Sequence, residues 1–563
     1  MSAESGFDPF PTQPAAETGG GLQAYLNADA RTGTADNGKP SLTIDQAASR
    51  LTGDEPGWGG VLGHAASVTY AFRATAPISM PSDTGGFSQF NAAQITQAEL
   101  ALKAWSDVAN ITFVRVGTGT SGDAAYSDNA SILFGNYSTG EDGSSAFGYY
   151  PGSRAAGSSA GDVWVNSTLS YNAAPSVGNY GGQVLVHELG HAIGLSHPSD
   201  YNASADATFT YEADASYYED SRQYTVMSYF GGFNTGANLP GYSAAPLLDD
   251  IAAAQEEYGA NMTTRTGDTV YGFHSNADRP WYELTSSSSQ AQFAVWDAGG
   301  NDTLDFSGYS NRQTIDLRQG FFSDVGGWSG NVAIAKGADI ENAIGGSGAD
   351  SMTGNALNNS LQGNGGNDTV MGGAGDDSIS DTSGSNYIRG EDGADVIQGG
   401  SGFDDINGNA GSDTAHGNGG DDWVVGGKDA DALAGDAGND IVYGNMGDDY
   451  CWGDVGNDTI RGGQGNDVMY GEDGNDWMSG DLGDDTMWGG SGADTFHASA
   501  GSGLDRVMDF SQAQGDRVQL DAGQTYTVSQ VGADTVVDLG GGTQVVLVNV
   551  QMSTLTPGWI FSG

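Results

Sequence analysis

GGSGADSMTGNALNNSLQGNGGNDTVMGGAGDDSIS, residues 345–380, is four nonapeptides in one frame, and that frame runs on to GGSGADTFH at 489–497, 17 units without a slip. Position 6 is Asp in 15 of the 17, with Asn359 and Asn386 as the exceptions, and position 8 is apolar in all 17, from Met352, Leu361 and Val370 to Met487 and Phe496. A flexible Gly/Ser linker or a disordered acidic tail has no reason to keep two positions in phase. The spacing predicts a parallel β-roll: position 8 points inward from a short strand, and glycines at positions 1 and 4 take turn conformations that side chains forbid. Two units make a coil, so the repeat spans about eight and a half coils, on the order of 40 Å at a strand spacing of about 4.8 Å. Cys451 falls at position 8 and reads as an inward packing residue.

The aspartate at position 6 lies beside carbonyls freed by the turn, and hard oxygen donors of that kind suit Ca²⁺. The pattern is similar to the calcium-binding nonapeptides of RTX proteins. Calcium candidates along the roll are Gly346, Gly348, Asp350, Gly363, Gly365, Asp368, Asp377, Asp395, Asp404, Asp413, Asp422, Asp431, Asp440, Asp449, Asp458, Asp467, Asp476, Asp485 and Asp494. Between 345 and 497, 29 acidic residues face only Arg389, Lys428 and Arg461. Stacking those carboxylates without a counter-ion opposes folding, and each glycine adds an entropy cost of about 0.5–1 kcal/mol. The roll without calcium is therefore expected to be unfolded. At position 9 of successive coils stand Trp452, Tyr470 and Trp488. Next to an inward residue, they are expected to point outward as a ladder with rungs about 4.8 Å apart. That ladder is either covered by residues 498–563 or an N-terminal segment, or is a binding face for a polysaccharide or another surface protein, with sugar rings stacking on the aromatics.

The whole chain of 563 residues carries 18 Lys plus Arg against 72 Asp plus Glu, a formal charge of −54. That balance argues against nucleic acid and anionic membranes as partners and in favour of cations. One cysteine permits no intramolecular disulfide and no cysteine-switch latency. The N-terminus, MSAESGFDPFPTQPAAETGGG, lacks the basic and apolar regions of a Sec signal peptide. The best apolar run, VVLVNV at 545–550, is far too short to span a bilayer, so no membrane insertion is expected. Residues 1–25 read as a disordered or removed propeptide, and 26–262 as an α/β domain. That domain has a helix in NAAQITQAELALKAWSDVA, strands at 67–72, 131–137 and 162–166, and a closing helix in APLLDDIAAAQEEYGA. Residues 263–344 form a junction and the start of the roll, 345–497 the roll, and 498–563 a C-terminal β segment.

Within the α/β domain, VLVHELGHAIGLSHP (184–198) places His187 and His191 four apart, on one face of a helix where a single zinc can bridge them. Gly194 lets the chain turn back so that His197 becomes a third ligand. Glu188 is placed to take a proton from a water that the metal acidifies to a pKa of about 7. The extended HExxHxxGxxH is the metzincin pattern, which also places a methionine turn beneath the metal. YTVMSYF supplies Met227 for that turn and Tyr229 within reach of the zinc. Accidental GxGxxG strings in the repeats do not follow a strand and open a helix, so a dinucleotide site is rejected.

The chain resembles the serralysin family of bacterial secreted metalloproteases over most of its length. The resemblance is carried by NGKPSLTIDQAA (37–48), HPSDYNA after the zinc motif, YYEDSRQYTVMSYF (217–230), PLLDDIAAAQEEYGAN (246–261), TRTGDTVYGF (264–273), WDAGGNDTLDFSGY (296–309), FSDVGG (322–327) and IENAIGGSGAD (340–350). It implies an endopeptidase acting on polypeptides, with zinc on His187, His191 and His197, Glu188 as general base, and Tyr229 as an additional ligand and transition-state stabiliser. It also implies a short propeptide, extracellular localisation and type I export through an uncleaved C-terminal signal, and a monomer is expected. A first calcium at the domain junction maps onto Arg265, Gly267, Thr269, Asp297, Gly299 and Asp302, with Glu341 serving a neighbouring site. The chain departs from the family in its 17 uninterrupted repeats, more than the handful typical there, and in its terminus, PGWIFSG. The expected fold is multidomain α+β: a metzincin-like catalytic domain, a long parallel β-roll and a C-terminal β-rich segment. The leading function is a secreted, calcium-stabilised zinc endopeptidase that aligns substrate along SAFGYY (145–150) as an added strand. The alternative is a calcium-dependent surface- or matrix-binding RTX protein in which proteolysis is secondary.

Overall fold

The computed structural model describes residues 25–563 except 54–56, 82–83, 141–144, 153–159 and 202–208. The expected propeptide thus lies outside the described residues but for Tyr25. The chain divides into two units, one comprising the residues up to Asp302 together with Arg318–Ile340, the other Thr303–Leu317 with Glu341–Gly563. The junction read over 263–344 is shared between them.

In the first unit, Asn91 opens the helix Ala92–Val108 with a capping box: its side chain accepts from the Gln94 amide, and the Gln94 side chain accepts from the Asn91 amide. Ile95, Ala98, Leu102, Trp105 and Val108 form one buried face at helical spacing. That face packs on the helix Tyr180–Ala192, where the Trp105 indole N–H donates to the Val186 carbonyl at 3.0 Å. A five-stranded sheet runs in the order Ile111–Arg115, Ala66–Phe72, Ile132–Tyr137, Val163–Asn166, Ala146–Gly148, parallel except for the last pair. The strands expected at 67–72, 131–137 and 162–166 are its three central members. Ala146–Gly148, at one end of the order, lies within the stretch expected to receive substrate. A Cβ at Gly148 would stand 2.5 Å from the Glu188 carbonyl oxygen and 3.2 Å from His191 Cβ, so glycine is what lets this strand lie against the helix. The closing helix runs Leu248–Tyr258 and packs on Ile44–Thr52.

The second unit contains the parallel roll. Strands 18 residues apart pair in parallel, as in Thr459–Gln464 on Trp477–Leu482 and Tyr450–Val455 on Val468–Asp473. A 12-stranded sheet climbs from Thr314–Asp316 through the repeats to Arg517–Leu520 and Ile560–Ser562. Every position-8 side chain from Met352 to Phe496 is at most 1 % exposed, Cys451 among them. One expectation changes. The glycines at position 1 do not have positive φ, whereas those at position 4 from Gly366 onward do, for example Gly366 at +127° and Gly411 at +128°. The left-handed conformation at position 2 is taken by Asn409, Asp436, Asp454 and Glu472 as readily as by glycine. Position 1 needs glycine for room, as the metal sites below show.

Trp452, Tyr470 and Trp488 do form a ladder, with ring centroids 5.8 and 4.7 Å apart and planes within 12° of parallel; Tyr450 stacks on Trp452 at 5.9 Å. Val507 pairs with Met487, which puts Met508 on the rung beyond Trp488. Of the two readings of the ladder, stacking of sugar rings finds no support in this geometry. The ring faces are occupied by one another, so the outer surface meets ring edges. Stacked pairs contribute about 0.5–1.5 kcal/mol each beyond burial. Replacing Trp452, Tyr470 and Trp488 with serine is expected to cost on the order of 3 kcal/mol and to lower the thermal midpoint of the roll in saturating calcium. An unchanged midpoint in calorimetry would contradict the ladder's packing role.

Candidate metal centre

The helix Tyr180–Ala192 presents His187 and His191 one turn apart, and Gly194, at φ +116°, reverses the chain so that His197 returns to them. The three Nε2 atoms form a triangle with every side 3.2 Å. Each Nδ1–H donates to a backbone carbonyl: His187 to Val226 at 2.8 Å, His191 to Leu195 at 2.7 Å, His197 to Tyr201 at 2.9 Å. These bonds fix the tautomer and turn the three lone pairs toward one point. All three rings are buried, and burial together with the two neighbouring imidazoles holds His187 well below the usual histidine range. Three converging neutral donors at this separation fit a zinc ion at about 2.0–2.1 Å from each.

The sequence pattern missed the residues that hold this triangle. Asp250 accepts from Thr225 Oγ1 at 2.5 Å and from the Val226 amide at 2.7 Å, so it fixes the turn whose Val226 carbonyl orients His187. Burial pushes its carboxyl up to about 7. Asp220 accepts from Ser199 Oγ, Tyr201 OH and Ser228 Oγ at 2.7, 2.8 and 2.7 Å, tying the loop after His197 to the methionine turn. The Tyr201 ring stacks on His197 at 5.3 Å, and the Tyr229 ring lies 4.6 Å from His197 and 6.1 Å from His187. Met227 is fully buried under the helix, where a Cβ at Gly190 would stand 2.5 Å from its Sδ. Glu188, next to His187, is 2 % exposed.

The six junction positions of the first unit come together in two facing loops. The Thr269 amide donates to Asp302 Oδ1 at 2.7 Å, its Oγ1 donates to the Gly267 carbonyl, and the Gly299 amide donates to Asp297 Oδ1 at 2.9 Å. A Cβ at Gly300 would lie 2.8 Å from both Gly267 O and Asp302 Oδ1. The Arg265 guanidinium is engaged with Asp107, Tyr271 and the Trp296 carbonyl. Asp268, accepting from the Asn301 amide, was not foreseen. Glu341 belongs to the second unit, where its carbonyl accepts from Ser360 and Asn359.

In the roll, the Oδ1 of each position-6 aspartate from Asp368 to Asp494 accepts the backbone N–H of the residue 18 positions earlier. Examples are Asp377 to Asp395 at 2.9 Å and Asp404 to Asp422 at 2.8 Å. The second oxygen, Oδ2, is buried in every one of them with no hydrogen-bond partner. Above Gly399 it lies beside a carbonyl of the next coil: a Cβ there would stand 2.6 Å from Asp404 Oδ2 and 2.9 Å from Gly417 O. The same pair recurs above Gly417 with Asp422 Oδ2 and Gly435 O. These are oxygen cradles that any side chain would fill, and they suit Ca²⁺. Asp350 differs, because Gln313 and Gly346 amides donate to both of its oxygens. Gly346 and Gly348 are instead needed where the backbone of 309–312 passes close by, and a Cβ at Gly365 would stand 3.2 Å from Ser383 Oγ. Asp505 and Asp516 extend the two ladders past the repeats. Arg506 pairs with Thr486, and the Asp494 amide donates to Asp516 Oδ1 at 3.2 Å. Their signal was present in Asp505-Arg506-Val507 and Asp516-Arg517-Val518, which keep the order of positions 6 to 8 after the frame slips.

Burial pushes these carboxyls up, Asp404, Asp413 and Asp440 to about 7 and Asp431 to about 8. With the folded pKa above the unfolded value of about 3.9, protonation stabilises the roll; that contribution is full below pH about 4 and is lost as pH rises through about 7–8. In chelator, the β signal in circular dichroism is therefore expected to survive at pH 4.5 and to fall by pH 8, with calcium restoring it. A chelated sample equally folded at both values would contradict this.

Residues 260–549 match the family described as Peptidase M10 serralysin C terminal, and residues 60–223 match matrixin. The chain is 54 % identical over 317 residues to Serralysin C of Dickeya chrysanthemi, covering 56 % of this chain and 64 % of that protein. It is 51 % identical over the same length to Serralysin A of that organism, with the same coverage. To Metalloprotease AprA of Pseudomonas entomophila (strain L48) it is 47 % identical over 371 residues, 64 % of this chain and 73 % of that protein. The chain thus spans about 64 % of the length of the two serralysins. A three-histidine centre over a buried methionine, followed by a parallel roll with the matched C-terminal region, makes this chain a member of the serralysin family of metallopeptidases.

Proposed function

We propose that this chain is a secreted zinc endopeptidase stabilised by calcium. The observation that carries the reading is the triangle of Nε2 atoms with Glu188 beside it on the same buried helix. Zinc held by His187, His191 and His197 would acidify a water and polarise the scissile carbonyl. Glu188 then takes the proton of the attacking water and delivers it to the leaving amine. Tyr229, whose ring packs on His197, is the residue we assign to transition-state stabilisation. An extended polypeptide adding to the Ala146–Gly148 strand would run beside Glu188, because that strand touches the helix at Gly148. Among the described residues no helix is long and apolar enough to cross a membrane. We assign calcium to the oxygen cradles of the roll and to the loops around Asp297 and Asp302, and export as a monomer to a type I route. The alternative, a surface-binding RTX protein, loses support from an aromatic ladder whose ring faces are already occupied.

Two substitutions separate chemistry from scaffolding. Glu188→Gln is expected to keep one zinc per chain by metal analysis while peptidase activity on casein falls by at least about 100-fold. Asp220→Ala, which unties the His197 loop from the methionine turn, is expected instead to weaken zinc affinity by about 10–100-fold. A Glu188→Gln enzyme with a tenth or more of the parent's turnover would remove the general-base assignment.

A further inference from the structure

The unit DTSGSNYIR, residues 381–389, breaks the repeat twice: Asp381 stands where position 1 is otherwise glycine, and Asn386 stands at position 6. In an ordinary unit, the unpartnered Oδ2 and a carbonyl from the next coil share the space over the position-1 glycine, as Asp404 Oδ2 and Gly417 O do over Gly399. At Asn386 that arrangement closes on itself. Its Oδ1 accepts from the Asp368 amide at 2.9 Å like any other position-6 oxygen, but its Nδ2 donates to the Gly399 carbonyl at 3.1 Å. An amide proton takes the place a cation would occupy, and no charge is left to balance.

One coil earlier the reverse happens. Over Gly363 the Oδ2 of Asp368 meets the Oδ2 of Asp381; a Cβ on Gly363 would stand 2.5 Å from the first and nearer still to the second. Asp368 is 1 % and Asp381 8 % exposed, and neither Oδ2 has a hydrogen-bond partner. The Asp381 side chain is not free to swing away, because its Oδ1 accepts from the Thr382 and Ser383 amides at 2.6 and 3.0 Å. The one arginine of this unit, Arg389, is paired with Asp405 at 2.9 Å. Two buried anions aimed at one point without a protein counter-ion require a proton or a cation between them.

We propose that Asp368 and Asp381 form a dicarboxylate calcium site with a donor set unlike the rest of the roll, and that Asn386 closes the neighbouring cradle. This rests on the calcium reading of the roll above. Two carboxylates in place of one carboxylate and a carbonyl raise the charge at the site, and calcium affinity follows ligand charge and rigidity. The site is therefore the last in the roll to release its ion.

The test uses the full chain, stripped of calcium and dialysed against graded free calcium, with bound calcium counted by atomic emission. Asp381→Gly restores the repeat's own residue and so keeps the fold. It is expected to lower the affinity of the tightest calcium at least tenfold while the remaining sites stay filled. Asp381→Gly combined with Asn386→Asp, which clears the side chain from position 1 and restores the open carboxylate oxygen, is expected to bind one calcium more per chain than Asp381→Gly alone. Unchanged tight binding in Asp381→Gly, or in Asp381→Asn, with proton uptake at the pair instead, overturns the proposal. A parent chain that binds no calcium at all fails differently, because it removes the calcium reading of the roll itself.

Discussion

A buried carboxylate with one oxygen satisfied and the other left open is the constraint on which the roll turns. The satisfied oxygen accepts a backbone N–H from the coil before, which fixes the register of one coil on the next. The open oxygen lies against a carbonyl in a space that exists only because position 1 has no side chain. A half-satisfied buried anion costs free energy until a proton or a cation reaches it. The same residue therefore sets the coil spacing, excludes side chains from position 1 and makes folding conditional on what fills the cradle. The apolar column at position 8 cannot compensate by itself, since it is one side chain deep in each unit and glycines surround it.

The zinc centre repeats this logic at a single point. Three imidazole lone pairs converge on one spot, each held there by a backbone carbonyl from a different part of the chain: Leu195 just past the helix, Tyr201 in the following loop, and Val226 in the methionine turn. Asp220 and Asp250 anchor those segments from inside the core. Both sites are arrays of preorganised donors whose mutual repulsion a metal would relieve, and in both the protein supplies orientation through buried hydrogen bonds.

Those features that depend on local spacing were legible in the sequence. His187, His191 and His197 reveal themselves by intervals of four and six, and the roll by an unbroken period of nine. Asp220, Asp250 and Tyr201 were not legible, because they act across contacts that no interval records. Asp220 reaches Ser199 and Ser228 from the middle of YYEDSRQ. Asp505 and Asp516 were lost when loop insertions shifted the frame, although the order aspartate, any residue, valine persisted. The role of the position-1 glycines was misread for a related reason: composition shows that glycine is required but not whether conformation or space requires it. The aromatic ladder and its stacking were legible from the 18-residue interval, but not the consequence that stacked rings leave only their edges at the surface.

Hydrogen–deuterium exchange of the full chain at pH 7.5, with calcium and with chelator, tests the dependence of the roll on its open carboxylate oxygens most directly. The strands from Thr369–Ala374 to Thr495–Ala498 should be protected in calcium and exchange as unfolded chain without it. Equal protection of those strands in both conditions would contradict the account.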